Sequence, residues 1–298
     1  MKKNPVVLFN DLLLKIAPYM KGIVDEQQKA FGDQWVKDFS ETLDRMFKGE
    51  EHKLRGAIEG YIRYTMKAKK LQLRFEQERV YRPQSFDQVV ENVYHERQYL
   101  FGTYFPGILI GHYLWRDHYL QYRYFLDEFV PLIASSATPR FCDIGVGTGF
   151  FTRLALAADE RIEGFSYEIS EHALAFTKAH LEAFGLAERW QYEVRNITDD
   201  PPEKQWPFIV SVEVLEHLED PVKFLGSLRK MLLPGGKGFI SAALTAPTID
   251  HIYLYESCDQ IAEQLKQAGF AVLDFIEQAA FEAPSGQTVP RVGAFIVN

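Results

Sequence analysis

The feature that most restricts the fold is the run Phe141-Cys142-Asp143-Ile144-Gly145-Val146-Gly147-Thr148-Gly149-Phe150. An apolar strand-like stretch ends in three glycines at alternate positions, and a helix-like stretch begins at once. Glycine there lets the backbone take positive φ and lets a ligand approach main-chain amides without meeting a Cβ. An acidic residue, Glu168, closes the next strand-like stretch 19 residues after Gly149. That offset sets a carboxylate beside the turn, where it can accept hydrogen bonds from both hydroxyls of a ribose.

Around this run the pattern alternates. Strands are predicted over Arg140–Ile144, Glu163–Tyr167, Trp190–Val194, Phe208–Val212 and Lys237–Ala242. Helices are predicted over Phe150–Ala158, Glu171–Phe184, Pro221–Leu232 and Asp259–Ala268. Two further strands, Ala271–Phe281 and Val292–Val297, follow with no room for a helix between them. The expectation is an α/β fold: a mostly parallel sheet with helices on both faces and an antiparallel hairpin at its C-terminal edge. Upstream, Val6–Met20, Asp25–Phe47 and Glu51–Val80 carry apolar residues at three- and four-residue spacings, the period of helices. The stretch Ser135-Ser136-Ala137-Thr138-Pro139 reads as a linker. The expected division is a helical cap over residues 1–134 and an α/β domain over 135–298, a reasonable split for 298 residues.

Composition serves to exclude. Lys plus Arg is 33 and Asp plus Glu is 41, a net charge of −8. Residues 1–138 sum to +2 and the remainder to −10, so neither half offers the basic face of a nucleic-acid or anionic-membrane binder. Two cysteines are too few for a disulfide framework or a thiolate zinc site, and they suggest a reducing compartment. After Met1-Lys2-Lys3 the apolar run Pro5–Phe9 meets Asn10 and Asp11, too short for a signal peptide. The longest uncharged stretch, Gln98 to Trp115, is broken by Gly102, Pro106, Gly107, Gly111 and His112. A membrane span needs about 20 predominantly apolar residues. The expectation is a soluble cytoplasmic protein without nucleic-acid or membrane partners, with a homodimer left open.

With Asp143 ahead of the glycines, the chain resembles the class I S-adenosylmethionine-dependent methyltransferases, whose first motif has the form D-x-G-x-G-x-G. The likeness continues in Ser211-Val212-Glu213-Val214-Leu215-Glu216-His217-Leu218-Glu219-Asp220-Pro221, similar to the motif after strand four of the small-molecule enzymes. Leu233-Pro234-Gly235-Gly236-Lys237-Gly238 is similar to the family's turn before strand five. Together these elements span residues 139–298. The resemblance implies a Rossmann-like seven-stranded sheet, S-adenosylmethionine as cofactor, and methyl transfer to an O, N or C nucleophile of a small-molecule acceptor in secondary metabolism. It also implies roles. Asp143 orders the turn of Gly145, Gly147 and Gly149 and contacts the methionine amine, helped by the Gly145 carbonyl. Glu168 holds the ribose diol and Ile169 packs on adenine. Asn196, with Ile197 beside it, stands where the family usually has an Asp facing the adenine amine. Glu213 belongs to the cofactor pocket near the donor methyl.

Catalytic groups are harder to place. Glu216 and His217 sit in a motif shared by many specificities, and His217 reads as structural. No H-x-x-x-H or H-E-x-x-H pairing occurs, so no metal site is expected. Residues 94–129 hold 12 aromatics in 36 positions, seven of them tyrosines, which suit pocket walls with one polar end. As a cluster they are expected to cap the cofactor, where each aromatic face would favour a sulfonium by about 0.5–2 kcal/mol. Tyr104, Tyr113 and Arg116 are the candidates there. After strand five, His251, Tyr253 and Tyr255 alternate within Ala243–Glu256, so an extended segment would point all three one way. His251 and Tyr255 complete the candidates. Two other uses of the cofactor remain open. One resembles azetidine-2-carboxylate synthase, in which the cofactor's own amine displaces methylthioadenosine; a large aromatic cap and the lack of an obvious base speak for it. The other is non-catalytic binding, against which the intact turn and Glu168 argue.

Overall fold

The computed structural model describes residues 4–81, 85–282 and 288–298, so the basic start Met1–Lys3 lies outside it. Three helices lead: α1 (Pro5–Ile16), α2 (Ile23–Phe47) and α3 (Glu51–Glu78). Asn4 accepts the Val6 N–H and Pro5 occupies the first turn, a combination that fixes where α1 starts. The helix expected to reach Met20 stops at Ile16, and Pro18 opens a separate 3-10 turn. Proline there lacks the N–H that a continuing helix needs.

Short pieces follow: α4 (Phe86–Val89) and α5 (Arg97–Tyr99), each continued by a π-helical turn, Val90–Tyr94 and Leu100–Tyr104. A reciprocal pair of bonds between Ser85 and Gln88 caps α4. Then come α6 (Phe105–Leu114), α7 (Arg116–Tyr124) and α8 (Val130–Ala134). The uncharged stretch is thus a buried helix, packed closely on α3. A Cβ on Gly107 would lie 2.6 Å from the Tyr64 side chain. Among the described residues no helix is long and apolar enough to cross a membrane.

From residue 140 the order is β1 (Arg140–Ile144), α9 (Phe150–Ala158), β2 (Glu163–Glu168), α10 (Glu171–Phe184), β3 (Trp190–Val194), β4 (Trp206–Ser211), α11 (Pro221–Met231), β5 (Leu232–Leu244), α12 (Cys258–Gln267), β6 (Val272–Ala279) and β7 (Arg291–Val297). The seven strands lie in the order β3-β2-β1-β4-β5-β7-β6. Neighbours among β1 to β5 are parallel, while β7 runs antiparallel to both β5 and β6. The expected hairpin forms, with its second strand inserted against β5 and β6 left as the edge. Strand order reverses between β1 and β4, and open α/β sheets bind ligands outside the carboxyl ends at such a point.

Alternation along the strands divides the interior in two. Phe141, Phe208, Val210, Phe239 and Ile296 face one side; Cys142, Ile209, Ile240, Phe295 and Val297 face the other, under α11 and α12. On the first side the sheet is covered by α9, α10 and the N-terminal helices together. Trp35, Phe39, Tyr113, Phe125 and Phe129 share one buried cluster with Phe151, Phe208 and Phe239. The Phe125 and Phe239 rings lie 5.0 Å apart.

Candidate functional site

The glycine turn lies at the carboxyl end of β1. Gly145, Gly147 and Gly149 all take positive φ, at 75°, 53° and 69°. At Gly149, which caps α9, an added Cβ would meet Thr177 Cγ2 at 2.6 Å. Asp143 faces the α9 side and accepts a 2.6 Å bond from Thr152 Oγ1. Burial pushes its carboxyl up to about 7, against the pull of that bond. Glu168 ends β2 and bridges back to the turn. Its Oε1 accepts the N–H groups of Ile169 and Ser170, and Oε2 accepts that of Gly147 at 3.2 Å. Burial raises this carboxyl above the usual range, and the three N–H donors oppose the rise.

Two cavities open beside the turn. A smaller one of about 130 Å³ is lined by Glu168, Ile169, Asn196 and Ile197, with Tyr94 and Leu100 across from them. A larger one of about 560 Å³ is lined by Asp143, Asp117, His112, His118 and His251, with Tyr64 and Trp115 among its aromatic walls. Gly145, Gly147, Tyr104, Glu213 and His217 line both. The two spaces therefore adjoin at the turn.

Glu213 stands at this junction, just beyond β4. Its φ is 52°, an uncommon conformation for a residue with a side chain, of the kind that clusters at functional sites. The N–H donates to the Ser241 carbonyl at 3.2 Å. Oε1 is buried without a hydrogen-bond partner among the described residues and lies 3.5 Å from His118 Nδ1. Burial pushes the carboxyl up to about 7, while the His217 charge and a hydrogen bond from Gln121 oppose it. Asp117 is raised to about 6, again chiefly by burial. His118 is lowered by burial, with Asp117 resisting. Opposite, Tyr104 donates to Asp250 Oδ2 at 2.9 Å and Thr248 donates to Oδ1 at 2.6 Å. Burial alone would raise Asp250, but His217 and His251 with these bonds hold it below its usual value.

Of the residues picked from sequence, Asp143, Gly145, Gly147, Glu168, Ile169, Asn196, Ile197, Glu213, Tyr104 and His251 come together around the two cavities. Gly149 shapes the turn from behind. Asn196 is already engaged: Oδ1 accepts the Thr198 N–H and Nδ2 donates to Asp199. Three candidates are corrected. Tyr113 is fully buried in the core, its hydroxyl 2.6 Å from Thr42 Oγ1. Arg116 is exposed at the start of α7, away from either cavity wall. Tyr255 lies in the core beneath β5 and donates to Gln264 Oε1. The segment before it is not extended; only a single bridge joins Tyr255 to Leu244. His251 therefore faces the larger cavity, while Tyr253 and Tyr255 both meet Gln264.

Sequence reasoning missed Asp117, His118, His112 and Asp250, and it gave His217 a purely structural role. The aromatic cluster divides: Tyr94, Tyr104, Phe105 and Trp115 line the cavities, while Tyr119, Tyr122, Phe125 and Phe129 pack the core. Neighbouring polar residues in an aromatic-rich stretch were the available signal for Asp117 and His118.

Comparison with known proteins bears on the family and the fold. Residues 142–237 match a family described as a methyltransferase domain. An uncharacterised protein of Synechococcus sp. is 28% identical over 54% of this chain and 35% of its own length. A ubiquinone biosynthesis O-methyltransferase of Aromatoleum aromaticum is 27% identical over 38% of this chain and 48% of its own. The chain thus spans half or less of these relatives. A protein of Galdieria sulphuraria assigned as a sarcosine dimethylglycine methyltransferase has a similar fold. Its TM-score is 0.50 at 14% identity, over 61% of this chain and 86% of that one.

Proposed function

We propose, from the match of residues 142–237 to a methyltransferase domain, that the α/β half is a class I S-adenosylmethionine-dependent methyltransferase domain and that the chain methylates a small molecule held in its larger cavity. The observation that carries this reading is the junction of two cavities at one titratable residue, Glu213. A ligand in the smaller space and one in the larger would face each other there.

The residues present fit the cofactor. Glu168 brings a buried carboxylate to a small, partly apolar space bounded by Ile169 and Ile197, an acceptor suited to the hydroxyls of a ribose beside a flat base. Asp143 and the carbonyl of Gly145 offer acceptors for an amine at the junction. Tyr104 presents an aromatic wall suited to a sulfonium. S-adenosylmethionine, when bound, supplies the electrophilic methyl group.

The chain's own part is alignment, exclusion of water and proton removal. In transfer to a hydroxyl, the cofactor would yield its methyl group to the acceptor oxygen and keep the carbon–sulfur electrons as a neutral thioether. The acceptor's proton needs a base, and Glu213 is placed for it: half-buried, with Oε1 free of hydrogen bonds among the described residues and its carboxyl pushed up to about 7. His118, 3.5 Å away, can relay the proton.

Self-cyclisation of the cofactor would need no 560 Å³ acceptor space. Incubation with S-adenosylmethionine, with and without a panel of phenols, catechols and amines, followed by mass spectrometry, tests the reading. Acceptor-dependent S-adenosylhomocysteine and a methylated product are expected. Methylthioadenosine accumulating from the cofactor alone would overturn it.

A further inference from the structure

One wall of the larger cavity plays no part in the transfer described above. His217 and His251 line it and Glu216 lies buried behind them; each presents one potential ligand atom, and these atoms lie within 4.8 Å of one another. Glu216 and His217 belong to a 3-10 turn after β4, Leu215–His217. His251 arrives 34 residues later, from the irregular segment after β5. Sequence spacing on one helix could not reveal such a site.

The arrangement is costly as it stands. Glu216 Oε2 and His251 Nδ1 are buried without hydrogen-bond partners among the described residues, and the two residues are 0% and 9% exposed. Buried polar atoms are normally paired, so two orphans facing one histidine call for an explanation. The remaining atoms of the same side chains are fixed in place. Glu216 Oε1 accepts the Ala243 N–H at 2.9 Å. His217 Nδ1 lies 3.0 Å from the Asp250 carbonyl oxygen. A carbonyl can only accept, so Nδ1 carries the proton and Nε2 keeps its lone pair. Metal-bound histidines are oriented in this way, with one ring N–H given to a carbonyl and the other nitrogen left for the ion. The buried Asp250 carboxylate, 3.5 Å from His217 Nδ1, adds negative charge beside the site.

We propose that Glu216, His217 and His251 bind one divalent transition-metal ion, whose open coordination positions face the larger cavity and take an oxygen of the acceptor. Two imidazoles and one carboxylate suit zinc, iron(II), cobalt or manganese better than magnesium or calcium, which prefer all-oxygen shells. Three protein ligands leave room for a further one, as catalytic rather than structural sites do. A tetrahedral shell with bonds near 2.0–2.1 Å sets ligand atoms about 3.4 Å apart, so the three side chains draw together on binding. His217 also lines the smaller cavity, so an oxygen held by the ion would sit next to the junction. A metal lowers the pKa of a bound hydroxyl, which favours acceptors carrying a phenol, a catechol or an α-hydroxy-carbonyl group. Ion binding stands on the three side chains alone; only the assignment of an acceptor to its open position rests on the proposed methyl transfer.

The test uses full-length protein stripped with a chelator and titrated calorimetrically with zinc and with manganese. One ion per chain is expected. His251→Ala and Glu216→Gln should each weaken binding at least 100-fold; His217→Ala, with the thermal midpoint checked, serves if either fails to fold. Manganese paramagnetism read by relaxation of solvent protons should report an ion reached by water. No stoichiometric binding, or unchanged affinity in folded His251→Ala, overturns the proposal. A metal-loaded protein that methylates none of the acceptors would leave the site standing and remove the acceptor assignment. The reverse result, methyl transfer by protein that binds no metal, would sink the site and keep the transfer.

Discussion

Glu213 combines a left-handed backbone with a half-buried carboxyl whose Oε1 is buried and bare, and both are unfavourable unless something else uses them. Two predictions follow from its charge. If Glu213 is the base, turnover should rise with pH through about 7 as the carboxylate forms. Glu213→Gln should lower kcat by roughly 10²–10⁴, the usual contribution of a positioned base, and remove that inflection from the pH–rate profile. The same shift acts on stability. The folded carboxyl titrates near 7 and the unfolded one near its ordinary value of about 4.3, so between these values the folded state holds the extra proton. Its stabilising effect is complete at low pH and is lost as pH rises through 7. Glu213→Gln should therefore gain stability relative to the native chain between pH 5 and pH 8, read as urea midpoints at each pH. Glu168 is a cleaner probe of cofactor binding. Glu168→Ala should weaken S-adenosylmethionine binding by about 1.5–3 kcal/mol in calorimetry, the scale of hydrogen bonds to a charged group. Asp143 and Glu168 could be paired from sequence because successive strands of one β-α-β unit carry them. Asp117, His118 and Glu213 come within reach of each other only once α7 packs on the sheet, a contact almost a hundred residues long in sequence that no local pattern reports.

At the scale of elements, the aromatic stretch divides into a part that can move and a part that cannot. Tyr94 and Tyr104 end two π-helical turns, a form common at functional sites, and both reach Asp250 through their hydroxyls. Tyr113, Phe125 and Phe129 are fully buried in the main core. Hydrogen exchange should therefore slow on cofactor addition over residues 86–104 and stay unchanged over 110–129. Slowing across both stretches, or in neither, would contradict this division. Sequence placed the helices and strands of the α/β half within a few residues, because the alternation is strong and Gly149, Ser170 and Asp220 mark helix starts, except that β5 begins at Leu232, inside the turn expected over Leu233–Gly238. It misjudged the segment after β5. The alternation of His251, Tyr253 and Tyr255 mimics a strand, but only Tyr255 bridges to β5, while the N–H groups of Ile252 and Tyr253 turn aside to the Glu216 carbonyl. A periodic pattern holds only where backbone partners exist to keep the chain extended.

For the whole molecule the question is whether residues 1–134 stand apart from the rest. Charge and pattern both change near residue 135, and these are local properties that a sequence displays well. Packing is not local. Phe125 lies 5.0 Å from Phe239 and Phe129 lies 6.1 Å from Phe208, so the last helices of the N-terminal half form part of the cover of the sheet. Removing that cover would expose Phe151, Phe208 and Phe239 together, an apolar surface that burial otherwise stabilises at about 25 cal/mol per Å². We expect the two halves to melt as one. Calorimetry on the full chain should give a single transition whose calorimetric and van't Hoff enthalpies agree. Phe125→Ala should lower the stability of both halves by about 3–5 kcal/mol, the range for a large buried ring. Near-ultraviolet signals from Trp35 in α2 and Trp206 in β4, separated with single-tryptophan variants, should fall at the same midpoint. Two separated transitions, with Trp35 melting before Trp206, would instead show a cap that folds on its own and lends the sheet little.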